Sequence, residues 1–180
     1  MFARPYRIAA YAAAILVCHA APAEDIRANW GSDPFLAVSR AVSGCPEALG
    51  PRVTQAEWLR QAHYRVERGN SCWVEGRCRL PNAYRYDREI ADAATRRLAN
   101  LEPDLHWQER TTLWLTLQRR FIYVAGCVAP DFDTASFLLE LAKTADVERV
   151  IDQTTTTPSA ISLPYRTLAH PGTMPSDPAP

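Results

Sequence analysis

The chain has 180 residues, 47% apolar and 22% charged, and its formal net charge is zero. That composition excludes a disordered chain, a collagen-like fibre and a polytopic membrane protein, and the length suits one domain. A neutral total also argues against nucleic acid as a partner, since that role needs a cationic excess.

Residues 1–23 have the three parts of a secretory signal. Arg4 and Arg7 form a positive start, Ile8 to Val17 is an apolar run, and Ala21-Pro22-Ala23 places small residues before a cleavage point. The run is too short to span a bilayer, which takes about 20 residues. Cys18 ends it as in a lipoprotein signal, but Val17 before it is larger than that processing prefers. Cleavage is therefore expected after Ala23, giving a periplasmic or secreted chain with no transmembrane segment. It retains 18 basic and 20 acidic side chains, a net charge of −2.

Four cysteines then remain: Cys45, Cys72, Cys78 and Cys127. An even count in an oxidising compartment reads as two disulfides. Three pairings are open, and spacing alone does not choose among them. Cys72 and Cys78 enclose a short loop that Gly76 can turn, which would leave Cys45 for Cys127. A zinc site usually needs two close pairs, and only one pair here is close, so no metal is expected.

Within residues 24–86, the N-terminal extension, a short helix is expected around Phe35–Val42. Thr54-Gln-Ala-Glu57 is a capping box. The helix it opens carries Leu59, Ala62, His63 and Val66 on one face, and Gly69-Asn70 should stop it. Residues 70–86 read as an irregular cystine loop with Trp73, Tyr84 and Tyr86.

A second helix should start near Asp87, with Ile90, Ala94, Leu98 and Leu101 at helical spacing, and end at Pro103. Residues 102–112 read as a polar loop. Leu113, Leu115 and Leu117 alternate as in a half-buried strand, Arg119-Arg120 form a turn, and residues 121–128 return. Asp133 should cap a third helix, and Val147–Ile151 should form a last strand. Residues 153–180 hold four consecutive threonines and six prolines and read as a disordered tail.

The helix–hairpin–helix–strand order over residues 87–152 resembles the BON domain, a module of exported bacterial envelope proteins. The resemblance rests on Asp87-Arg-Glu-Ile90, on Val124-Ala-Gly126-Cys-Val128 and on Val147-Glu-Arg-Val150. Arg120 and Asp146 depart from it, standing where the family prefers glycine, and the loop after Leu98 is longer than usual. Membership implies an α+β fold in which a small three-stranded sheet is covered by two helices, here preceded by a disulfide-stapled helical extension. It also implies binding of phospholipid surfaces or envelope proteins, with no catalytic residues and no cofactor.

Candidate chemistry in the residues themselves is sparse. His63 and Glu67 share a helix face, but a metal would need a third ligand. Glu102, Asp104, His106 and Glu109 crowd the polar loop, and an acid–base pair there would need a shaped cleft. Charge is more informative. Nineteen of the 20 basic residues are arginines, and residues 52–97 hold ten arginines against six carboxylates, a local +4. Arginine forks suit phosphate. Arg77, Arg79, Arg119 and Arg120, with Trp73 and Trp114, are therefore the candidate anionic-surface site of a non-enzymatic protein. The partner would be an anionic phospholipid or an envelope protein. The other reading is an adaptor or subunit of an envelope or secretion assembly, touching its partner through a sheet edge or the Pro-rich tail.

Overall fold

The computed structural model describes residues 26–172. The secretory signal, its cleavage point and residues 173–180 of the expected tail lie outside the described residues. The chain is α+β, with a two-stranded and a four-stranded sheet.

The capping box forms as expected: Thr54 Oγ1 accepts the Glu57 N–H at 3.1 Å, and Glu57 Oε2 accepts the Thr54 N–H at 2.7 Å. It opens α1 (Gln55–Val74), which continues five residues past the expected stop. Gly69 is a place of close approach rather than a terminator, since a Cβ there would lie 2.8 Å from Asn82 Oδ1. Cys72 thus sits on the last full turn of the helix, and the 70–86 segment is only partly irregular. Ahead of α1, β1 (Arg27–Ala28) pairs antiparallel with β3 (Val53–Thr54).

The expected helix around Phe35–Val42 is instead β2 (Phe35–Ala37), antiparallel to β4 (Thr111–Gln118). The open edge of β4 decides this. Beyond β2, the Val38 and Ala41 N–H groups still reach the Leu113 and Thr111 carbonyls at 2.9 Å each. Ser39 Oγ lies 2.7 Å from Thr111 Oγ1 and accepts the Leu113 N–H at 3.0 Å. The main sheet therefore has four strands, not three, and the N-terminal segment supplies one of them.

The hairpin of β4 and β5 (Phe121–Val128) keeps the expected register about Arg119-Arg120. Both turn residues have positive φ, 54° and 68°, as a two-residue hairpin turn of the primed type requires. After β5 comes α4 (Thr134–Ala142), capped by Asp133 as expected. It crosses to β6 (Arg149–Thr155), which runs parallel to β5 and gives the order β2-β4-β5-β6.

One face of this sheet carries Leu113, Leu115, Leu117, Ile122 and Val124, all fully buried. It is covered by α4 and by α2 (Asp87–Leu105), which contributes Ile90, Ala94 and Leu98. Burying such side chains stabilises the fold by about 1.5–3 kcal/mol each. Helix α2 runs two residues beyond Pro103, since proline there removes only one backbone hydrogen bond. The expected polar loop then proves to hold the short α3 (Trp107–Arg110). Trp107 is buried against Phe137, and its indole N–H donates to the Leu98 carbonyl at 3.0 Å.

The opposite face carries Trp114 and Ala125, and the expected tail covers it. Tyr165 is buried there beside Ala48, its hydroxyl donating to the Pro46 carbonyl at 2.9 Å. The N–H groups of Leu49 and Leu168 bond to the Arg166 and Glu47 carbonyls at 2.8 and 3.0 Å. The threonine run ends β6, and the stretch near Leu163–Leu168 is a strap. Averaged composition hid it: few apolar residues are needed to cover two exposed sheet side chains.

Two disulfides close the structure, Cys72–Cys78 and Cys45–Cys127. The longer link spans 82 residues and ties the N-terminal segment to β5 beneath the strap. No helix among the described residues is long and apolar enough to cross a membrane.

Candidate functional site

The site begins with Asp87, the first residue of α2. Its two carboxylate oxygens accept the N–H groups of Arg119 at 2.8 Å and Arg120 at 2.7 Å. An L-residue in the left-handed region costs about 1–2 kcal/mol, and two occur in succession here. The buried carboxylate holds them by taking both orphan donors of the turn. Burial is the larger influence on Asp87 itself, raising its pKa to about 6 against the lowering effect of those two hydrogen bonds.

A third left-handed residue, Asp146 (φ 64°), adjoins the turn, and the Arg120 Nε donates to its carbonyl at 2.8 Å. At both Arg120 and Asp146 the backbone takes up the conformation that glycine adopts most easily, while the side chains add charge.

Around this turn the arginines divide into two groups. Arg79 and Arg120 stack on Tyr86, 4.7 and 5.3 Å from its ring centre. Both are neutralised: Arg79 by Glu89 and Asp146, Arg120 by Glu148 at 3.6 Å. Arg120 also donates to Cys78 Sγ at 3.0 Å, joining the turn to the short cystine ring. Arg119 and Arg149 form the second group. Their guanidiniums lie 4.7 and 5.8 Å from the ring centre of Phe121, and neither has a carboxylate partner among the described residues. Arg85 and Arg88, exposed on either side of Asp87 in sequence, also lack one.

The expected set is thus only partly brought together. Arg79, Arg119 and Arg120 share the hairpin-tip end of the sheet. Trp114 does not: it is 6% exposed, on the opposite face beside the strap, where it borders a shallow depression with Arg40, Glu47 and Thr112. Trp73 is exposed, but on the last turn of α1, and Arg77 is held by Glu75. Arg149 and Phe121 join Arg119 there, and the exposed Arg85 and Arg88 adjoin Asp87 along the chain. The sequence signal was the cluster Arg85-Tyr86-Asp87-Arg88, whose meaning depends on Asp87 capping a turn some 30 residues later.

The other candidates resolve simply. His63 and Glu67 form an exposed pair at 3.3 Å, and no group of three or more potential metal ligands occurs among the described residues. Glu102 accepts the Gln108 N–H at 3.1 Å and so caps α3, while Asp104, His106 and Glu109 face solvent. An open depression of about 290 Å³ lies beside α2, lined by Arg96, Arg97, Asn100 and Thr144 among others, but none of those four loop residues lines it. Of the tail and the sheet edge, the described part of the tail packs on its own sheet through Tyr165, and on the outer strand Asp152 accepts the Thr154 N–H at 2.8 Å.

No protein-family model, curated protein or solved structure matches the chain.

Proposed function

We propose that this chain is a non-enzymatic, exported, BON-like module that binds anionic phospholipid surfaces through the hairpin-tip end of its sheet. The helix–hairpin–helix–strand order from α2 to β6 supports the BON-like reading, and the two closed disulfides support export to an oxidising compartment. One observation carries the binding surface: Arg119 and Arg149 hold their charges over Phe121 with no acid among the described residues to neutralise them. Such forks can grip a phosphate at two points, and the flanking Arg85 and Arg88 extend the cationic rim. Arginines at strained turn positions fit a role for the side chain, because strain tends to persist at functional sites.

Each arginine close to an anionic membrane contributes about 1 kcal/mol. An Arg119→Ala/Arg149→Ala double variant should therefore bind about twentyfold to thirtyfold more weakly. The assay is co-sedimentation with phosphatidylglycerol-containing vesicles, compared with pure phosphatidylcholine vesicles and repeated at raised salt. The protein should prefer the anionic vesicles and lose that preference as salt screens it. Equal binding to both vesicle types, absent binding to both, or an unaltered double variant would each overturn the assignment.

A further inference from the structure

Among the described residues, helix α1 lies against the body along one side only, and its other side meets none of them. The inward side carries Trp58, Arg65, Gly69 and Cys72. Arg65 there is held by Asp33 at 2.6 Å and stacks between Tyr84 and Trp58, 3.8 and 5.2 Å from their ring centres. Of the face that sequence periodicity marked, Ala62 is half-buried while Leu59, His63 and Val66 point outward; Leu59 and Val66 are 66% and 68% exposed, and Trp73 farther along is 48% exposed. With Ala56, His63 and Asn70, also exposed, they form a seam at 56, 59, 63, 66, 70 and 73. The steps alternate three and four along nearly the whole helix. That is the 3.5-residue period by which one helix packs knobs into holes on another.

A lipid surface fits this seam poorly. An interfacial helix needs a broad apolar sector with basic flanks, whereas here His63 and Asn70 interrupt the apolar positions and the bordering flank mixes Arg60 with Glu67. A second helix accepts such a seam, since one buried asparagine fixes register at modest cost.

We propose that the occupant is α1 of a second copy of this chain, antiparallel and two-fold symmetric about the midpoint between His63 and Val66. This arrangement places Ala56 opposite Trp73 of the second copy, Leu59 opposite Asn70, and His63 opposite Val66. The smallest seam residue then meets the largest at both ends. Arg60 and Glu67 border the same flank one heptad apart with opposite charge, and Arg60 has no acid partner among the described residues. In the antiparallel pair they meet crosswise, arginine to glutamate, twice. A parallel pair would set Arg60 against Gln55 and Glu67 against Ala62, and would stack Trp73 on Trp73 and His63 on His63. The seam is complementary to itself in one orientation. This interface is separate from the hairpin-tip surface, and either can fail without the other.

The test is sedimentation velocity on the purified, disulfide-closed protein over about a hundredfold range of concentration. A monomer–dimer equilibrium is expected. Val66→Asp should abolish the dimer while leaving the thermal midpoint within a few degrees, because the side chain is exposed. Arg60→Glu and Glu67→Arg should each weaken the dimer by about tenfold, since each puts like charges together at two symmetric places. The double exchange should restore it to within about twofold. A monomer at every concentration, a dimer indifferent to Val66→Asp, or a double exchange weaker than either single one would overturn the proposal. So would a monomer whose vesicle binding is lost on Val66→Asp, which would assign α1 to the membrane.

Discussion

Asp87 should make the stability of this fold fall as pH rises through the mildly acidic range. Burial at the start of α2 lifts its pKa to about 6, whereas in the unfolded chain it returns to 3.8. Between those values the folded chain keeps the proton and the unfolded chain releases it, so the free energy of unfolding decreases with increasing pH. The contribution is fully present below about pH 4 and is lost once pH has passed about 6. The gap between the two pKa values corresponds to about 3 kcal/mol. Other carboxylates act in the opposite sense. Burial pushes Glu57 up, but hydrogen bonds from Thr54 and the charges of Arg166 and Arg27 bring it below its usual range. Asp131 is held low by Arg110, and Asp133 by Ser136. The raw profile therefore mixes signs, and Asp87→Asn is needed to isolate one group. Urea unfolding followed by tryptophan fluorescence, from about pH 4 to about pH 7, gives the difference between wild type and variant. Wild type should lose roughly 2–3 kcal/mol relative to Asp87→Asn across that range. A difference that stays flat, or that moves in favour of wild type as pH rises, would mean that Asp87 is ionised in the fold throughout.

Two further perturbations test the packing of the sheet and its staples. Gly126 has φ 137° on β5, and a Cβ there would fall 2.0 Å from the Thr112 carbonyl oxygen, so the strands must separate to admit it. Gly126→Ala should cost roughly 2–4 kcal/mol in urea unfolding, and a loss under about 1 kcal/mol would show that the strands yield easily. Removing the Cys45–Cys127 link, as a double alanine variant, should cost about 4.5 kcal/mol on the loop-entropy model, against about 2.4 kcal/mol for Cys72–Cys78. The reverse order would show that the segment near Cys45 is held mainly by the strap rather than by the disulfide.

What the sequence disclosed was whatever depends on near neighbours. The Thr54–Glu57 box, the Asp133 cap and the leucine alternation of β4 each involve residues within a few positions of one another, and each appears where expected. The errors came from distance. Phe35–Ala37 became a strand because an edge of β4, some 80 residues later, offered hydrogen bonds. Trp114 read as a surface aromatic because alternation assigned it to an outer face, and only Tyr165 and Ala48 show that this face is covered. The apolar side of α1 was legible as a stripe, but periodicity cannot say whether a stripe meets its own domain or another molecule. Asp87 was recognised as a helix start, yet its capping of Arg119 and Arg120 could not be read before the hairpin was placed beside it.

Three residues other than glycine adopt positive φ around the end of the sheet: Arg119, Arg120 and Asp146. Glycine would give the same backbone with less strain, so the turn geometry by itself does not explain arginine or aspartate there. Asp146 binds Arg79, Arg120 binds Glu148 and Cys78, and both contacts fasten the turn to neighbouring segments. Those two side chains therefore have an internal purpose that offsets their strain. Arg119 has no ion pair among the described residues; its guanidinium lies over the face of Phe121, shared with Arg149. Its strain is unmatched by any ion pair within the described chain. The proposed anionic surface would supply Arg119 with the counterion that the described residues do not, and the Arg119→Ala/Arg149→Ala vesicle assay tests that proposal.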